Sequence, residues 1–233
     1  MKLLCVDTSG PVCGVCVTDG EIVKSEYTAQ NKNTHSVNLM PMIESCLKSA
    51  GMALADMDAI AAVVGPGSFT GVRIGVATVK GMAHGAGKDC IAVNALEALS
   101  YGVGEFDGIV CPIQDARAGQ VYGAAFRKGN RLMDDAPMKI EDYLAKIRTL
   151  AEERERFLFT GDGVASQKEK ILEILGDRAV IAAPAFRFLR PAAAAALAEK
   201  GTPIPWKDLK EYYLRAPNAK MQEKLVEAAR HGE

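Results

Sequence analysis

Several things are scarce in this sequence, and each scarcity narrows what it can do. No run approaches the ~20 consecutive apolar residues that span a bilayer. The apolar start Leu3-Leu4-Cys5-Val6 is broken at Asp7, too soon for a secretory core. A cytoplasmic protein with no membrane partner is expected. Histidine is rare: only His35, His84 and His231 occur in 233 residues, and no two stand four apart, as a helical metal-clamping pair would. A basic excess is also missing. The 28 Lys and Arg are balanced by 29 Asp and Glu, a formal net charge of −1. Because phosphate contacts dominate nucleic-acid binding, any contact with RNA is expected to be indirect, through a partner.

The six cysteines, Cys5, Cys13, Cys16, Cys46, Cys90 and Cys111, are scattered among apolar neighbours and read as buried reduced thiols. Cys13 and Cys16 form C-x-x-C. In a strand, residues three apart point to opposite faces, so these thiols should not converge. No metal and no cofactor is expected. A nucleophile elbow is missing as well: Ser68 sits in Gly67-Ser68-Phe69 with nothing to mark a histidine partner.

The chain does have enough apolar residues for a core, at 48% hydrophobic and 24% charged. Leu3 to Asp7, Val12 to Thr18 and Glu21 to Thr28 read as strands, the last two joined by the hairpin signal Asp19-Gly20. A helix follows over 36–50, ended by Gly51; Pro41 is expected in its first turn or at a kink. Then come a strand over 57–65, a helix over 70–85, a strand over 90–93 and a short helix over 95–101. The order partly restarts with strands over 108–114 and 120–127 and a short piece near Arg131. A helix over 141–155, a strand over 157–160, a helix over 164–175, a strand over 179–182 and an alanine-rich helix over 191–199 complete it. The aromatic segment 206–214 leads into a polar tail. Mixed sheets flanked by helices in two lobes, an α/β fold, fit this order. The split falls between an N-terminal lobe, 1–104, and a smaller C-terminal lobe with the terminal segment, 105–233.

The sharpest motif is Gly65-Pro66-Gly67-Ser68-Phe69-Thr70-Gly71-Val72-Arg73-Ile74-Gly75, between a strand and a helix. A glycine loop opening a helix can cradle an anion, but no lysine closes it as in a P-loop. Tight-turn duty and anion binding both remain open. Asp7, Thr8, Gly65, Gly67 and Ser68 are therefore the candidates for a nucleotide or anion. The turn Asp7-Thr8-Ser9-Gly10-Pro11 makes a poor phosphate hairpin, since Pro11 lacks a backbone donor. Asp115-Ala116-Arg117 is either a charged site element or a turn with its own ion pair. In the second helix Gly71 and Gly75, and again Ala77, Gly81 and Gly85, stand four apart on one face. Each interior glycine costs roughly 1 kcal/mol against alanine. Such residues permit close packing on the protein's own sheet or on another chain. In the first helix, Leu39, Ile43, Cys46, Leu47 and Ala50 form a core stripe, leaving Ser36, Val37 and Met40 for a second surface.

Together, Val6-Asp7-Thr8-Ser9, His35-Ser36, the Gly65 to Gly75 string, Lys80-Gly81, Asp115-Ala116-Arg117 with Val121-Tyr122, and Tyr213-Leu214-Arg215 resemble the TsaB family. The likeness covers residues 3 to about 130 and returns at the C-terminus. It implies the actin-like, hexokinase-like ATPase fold. It implies a non-catalytic scaffold of the machinery that threonylcarbamoylates adenosine in transfer RNA: a homodimer that also binds a TsaD-like transferase and a TsaE-like ATPase. The H-x-x-x-H metal pair of TsaD is not repeated, because Asn31 and Leu39 flank His35 at that spacing. Members dimerise and bind TsaD through first-lobe helices, which makes His35, Val37, Met40, Arg73, Ala77, Gly81 and Gly85 the interface candidates. Such proteins are sometimes called glycoproteases, although no peptidase constellation is present. The competing reading is an ATP-dependent phosphotransferase or ATPase of the same fold.

Overall fold

The computed structural model describes residues 1–31 and 33–215. The expected polar tail and His231 lie outside them. The chain opens as an antiparallel meander of β1 (Lys2–Asp7), β2 (Cys13–Asp19) and β3 (Ile22–Ala29), with Gly20 in the β2–β3 turn at φ 59°. Helix α1 (His35–Ala50) ends at Gly51 in the left-handed region, its amide bonding back to Leu47 and Lys48. Pro41 lies in the second turn of α1 rather than the first, at an exposed position, and deprives the Val37 carbonyl of its helical donor. Strand β4 (Ala59–Gly65), helix α2 (Phe69–Ala86), strand β5 (Asp89–Asn94) and helix α3 (Ala95–Gly102) follow. Both β4 and β5 are parallel to β1, and the sheet order is β3-β2-β1-β4-β5.

The same plan is then repeated in full. Strands β6 (Ile109–Asp115), β7 (Gln120–Arg127) and β8 (Asn130–Lys139) form a second meander; α4 (Ile140–Leu150), β9 (Phe157–Thr160), α5 (Val164–Leu175) and β10 (Ala179–Ile181) complete it. The order β10-β9-β6-β7-β8 matches the first sheet strand for strand. A short piece was expected where β8 runs ten residues. Its paired acids and Pro137 hide a strand that lies at the sheet edge, where proline is tolerated, and irregularities at Ala125 blur its alternation. Helix α4 stops at Leu150, short of the expected 155. There the Arg127 guanidinium donates to the Leu150 carbonyl at 2.9 Å and grips the Glu155 carboxylate at 2.7 and 2.8 Å, and Glu155 also accepts the Glu152 amide. The acid that would have extended the helix instead pairs with the arginine that caps the helix end. The aromatic segment supplies only one turn, Trp206–Asp208, and otherwise forms no helix or strand through Arg215.

Five layers result. Helices α1 and α2 cover one face of the first sheet, burying Leu39, Ile43, Cys46, Val72, Val76 and Val79 against it. On its other face lies a shared core of α3 and α6 (Pro191–Ala198), which also takes Val110, Ala124 and Phe126 from the second sheet. Helices α4 and α5 close the far side of the second sheet. Cys13 and Cys16 fall in the two different cores flanking the first sheet. The boundary at 104/105 separates the two sheets but not the packing, because the chain returns to the first sheet after β10. Ala192 donates to Glu26 at 3.0 Å, Ile204 and Cys90 exchange two 2.8 Å backbone bonds, and Leu209 is buried beside α2.

The glycines of α2 divide into two roles. A methyl group at Gly71 would overlap the Thr8 carbonyl oxygen, and one at Gly75 the Thr8 hydroxyl; at Gly81 and Gly85 it would meet none of the described residues within 4 Å. Gly71→Ala and Gly75→Ala should each lower the unfolding free energy by about 1–3 kcal/mol through overpacking. Gly81→Ala should raise it by about 0.5–1 kcal/mol through helix propensity. Urea unfolding of the three variants checks the contrast.

Candidate functional site

The carboxyl ends of β1, β4, β6 and β9 converge on a cleft of about 700 Å³. The repeated topology places equivalent turns on its two sides. Asp7 at the end of β1 accepts the Ser9 amide at 2.8 Å, and Asp115 at the end of β6 accepts the Arg117 amide at 2.8 Å. The loop Gly65-Pro66-Gly67 after β4, with a cis Gly65–Pro66 bond, stands opposite Gly161-Asp162-Gly163 after β9. Arg117 and Ala118 adopt positive φ values of 65° and 51° in the β6–β7 turn, a conformation that costs non-glycine residues about 1–3 kcal/mol each and gathers at functional sites.

Each anion candidate now has a place. Thr8 is buried, its hydroxyl donating to the Gly71 carbonyl at 2.8 Å. Gly67 lets the Ser9 carbonyl come close, and that carbonyl accepts the Ser68 amide at 2.7 Å. The Ser68 hydroxyl caps α2 by accepting the Gly71 amide at 3.3 Å. Two amides of the loop are therefore committed to the protein itself. Gly65, at φ 116°, faces the Tyr212 carbonyl, which would stand 2.7 Å from any added Cβ. Of the five, Asp7 is the buried charge, its carboxyl pushed up to about 6 mainly by loss of solvent, against the pull of the Ser9 amide.

Sequence reasoning gave no place in the cleft to three features that line it or the space beside Asp7. Gln114 and Asp162 line the same cavity, and burial raises the Asp162 carboxyl too. For Asp162, the echo of the Gly65 loop after the matching strand was the available signal. The third is the segment after Leu209, which straps one wall of the cleft. The Tyr212 amide donates to the Val64 carbonyl at 2.8 Å, and the Tyr213 ring packs 4.9 Å from Phe69. Arg73 lies 3.8 Å over Phe69 and donates to the Tyr213 hydroxyl at 2.9 Å, while Arg215 reaches the Ala116 carbonyl at 3.2 Å.

The interface candidates do not all lie together. Arg73, Ala77, Gly81 and Gly85 form one exposed row along α2, and Val37 and Met40 are exposed on the adjoining α1. His35 instead turns toward the cleft, where its Nε2 donates to the Gly10 carbonyl at 3.0 Å. Among the described residues no three His, Cys, Asp or Glu side chains are grouped to hold a metal, and no helix is long and apolar enough to cross a membrane.

Comparison with known proteins agrees with this architecture. Residues 22–224 match the family model described as TsaD, tRNA N6-adenosine threonylcarbamoyltransferase. The tRNA threonylcarbamoyladenosine biosynthesis protein TsaB of Bacillus subtilis is 34% identical over 220 residues, covering 94% of this chain and 96% of that protein. TsaB of Escherichia coli is 34% identical over 130 residues, 55% of this chain and 56% of its own length. Among solved structures, a Pseudomonas aeruginosa protein described as similar to peptidase YeaZ superposes with a TM-score of 0.73 at 25% identity, over 92% of this chain and 99% of that one. Component A of the Acidaminococcus fermentans (R)-2-hydroxyglutaryl-CoA dehydratase, at TM-score 0.51 and 11% identity over 86% of this chain and 98% of its own, shares the fold alone. The architecture is the actin-like, hexokinase-like ATPase fold.

Burial of Asp7 has a pH signature. The folded carboxyl holds its proton more tightly than the unfolded one, about 6 against 3.8. Its ionisation therefore opposes folding: the cost is absent below pH 3.8, grows through that window and is complete above about 6. Asp7→Asn should be about 1–3 kcal/mol more stable than the parent at pH 8 and nearly equal to it at pH 4. Urea melts at both pH values measure the difference.

Proposed function

The chain belongs to the TsaB family of tRNA threonylcarbamoyladenosine biosynthesis proteins, and from this we propose that it is the non-catalytic dimerisation and scaffold subunit of that modification machinery. In this reading it pairs with itself, supports a TsaD-like transferase, works alongside a TsaE-like ATPase, and meets tRNA only through those partners. The observation that carries the reading is the outward row of α2. Gly81 and Gly85 weaken the helix by roughly 1 kcal/mol each, yet among the described residues nothing needs the space. A facing helix that approaches closely gives that cost a reason. Exposed Val37 and Met40 extend the same surface with apolar, adaptable side chains.

A second reading, an ATP-dependent phosphotransferase or ATPase, draws on Asp7 and Asp162 facing the cleft. Against it stand the two committed loop amides and the strap beside Gly65. Calorimetry with ATP and magnesium separates the two. Micromolar binding with turnover that Asp7→Ala abolishes would replace the scaffold reading.

Gly81→Leu places a bulky side chain on the row without touching the core. It should weaken self-association and binding of a TsaD-like partner at least tenfold while the circular dichroism spectrum and unfolding midpoint are kept. Light scattering after size exclusion, with and without the partner, reads the result; unchanged masses in both runs would overturn the interface.

A further inference from the structure

The exposed row of α2 and the wall of the cleft share one side chain. Arg73 heads the row that continues through Ala77, Gly81 and Gly85. It leans toward the terminal segment, its guanidinium 3.8 Å over the Phe69 ring and its Nε donating to the Tyr213 hydroxyl at 2.9 Å. Further along α2, Lys80 donates to the Leu209 carbonyl at 3.1 Å. The strap between Leu209 and Arg215 forms neither helix nor strand, so tertiary contacts place it. Lys80 and Arg73 fasten it to α2, the Tyr212 amide fastens it to the Val64 carbonyl of β4, and Arg215 fastens it to the Ala116 carbonyl beside β6. Tyr212, Tyr213, Leu214 and Arg215 all line the cleft.

Arg73 is exposed, and among the described residues only its Nε is hydrogen-bonded. A chain that settles on Ala77 and Gly81 meets this guanidinium at the end of the row. It can offer an acceptor to the terminal nitrogens while Nε stays on Tyr213. An arginine side chain ordinarily loses much rotamer freedom on docking. Here Phe69 and Tyr213 have removed that freedom beforehand, by stacking and by the hydrogen bond. The benefit runs both ways. A docked chain excludes water from the Arg73–Tyr213 bond, which strengthens it and holds the strap to α2. Such coupling between two places is reciprocal by thermodynamic necessity.

We propose that Tyr213 is a positioning residue for the α2 surface: the strap presents Arg73 to a second copy of this chain, and that copy, once docked, holds the strap against the cleft. A row bare of side chains approaches closest another bare row, and a two-fold pairing of copies supplies one. The inference rests on the self-association proposed above. It adds that one wall of the cleft tightens when two copies pair.

Tyr213→Phe removes the hydroxyl that accepts from Arg73 and keeps the ring on Phe69, without altering the α2 row. Sedimentation equilibrium of the full chain should show its dimer dissociation constant raised about three- to tenfold, with the unfolding midpoint kept. Arg73→Ala should weaken pairing at least as much, and adding Tyr213→Phe to Arg73→Ala should weaken it no further. Hydrogen exchange reads the reverse direction. The Tyr212 amide should exchange at least threefold more slowly well above the parent's dissociation constant than well below it, and Tyr213→Phe should reduce that difference. Gly81→Leu is the control for pairing itself. A parent that stays monomeric at every concentration would refute self-association and this inference with it. If Gly81→Leu weakens pairing while Tyr213→Phe keeps the parent's dissociation constant, or if exchange at Tyr212 ignores concentration, the coupling is overturned and the scaffold reading stands.

Discussion

The close seat of the turn after β1 on the start of α2 holds the cleft in shape. Thr8 donates its hydroxyl to the Gly71 carbonyl, the Ser9 carbonyl takes the Ser68 amide, and Gly67, Gly71 and Gly75 are bare where side chains would collide with Thr8 or Ser9. These contacts fix where Asp7 points, because Asp7 is tied to the same turn through the Ser9 amide. They also fix the direction of α2, and hence which of its rows faces outward. The burial of Asp7 and the exposure of Gly81 are consequences of one junction.

That junction accounts for much of what was legible in the sequence. Strands and helices with strong period and clear stops, such as β2 before Asp19-Gly20 and α1 before Gly51, were readable because local chemistry and tertiary packing agree there. The small residues of α2 were visible, but their division into a buried pair and an exposed row was not, since four-residue spacing places residues on a face without saying what the face meets. The long β8 was hidden because edge strands carry charge and proline. The end of α4 depended on Arg127, more than twenty residues away in the chain. Gln114, Asp162 and Tyr212 reach the cleft only through the meeting of two sheets and a returning terminal segment, which no local pattern encodes.

The repeated topology explains the odd electrostatics of the cleft. Duplicating a strand that ends in an aspartate turn brings Asp7 and Asp115 to one place, and Asp162 joins them from the matching loop of the second sheet. Acid gathers at the floor, while Arg117 and Arg215 stand on the rim. The chain's near-neutral total charge conceals this local separation.

The return of residues 191–209 to the first sheet makes the second meander, in effect, an insertion within the first lobe's chain. The inner face of the first sheet needs Ala194, Ala195 and Ala198 to cover it, and these are synthesised after every strand of the second sheet. On the ribosome the early half therefore waits, with one apolar face uncovered, until nearly the whole polypeptide has emerged. Cutting the gene between the two sheets would leave the front piece without its own lining.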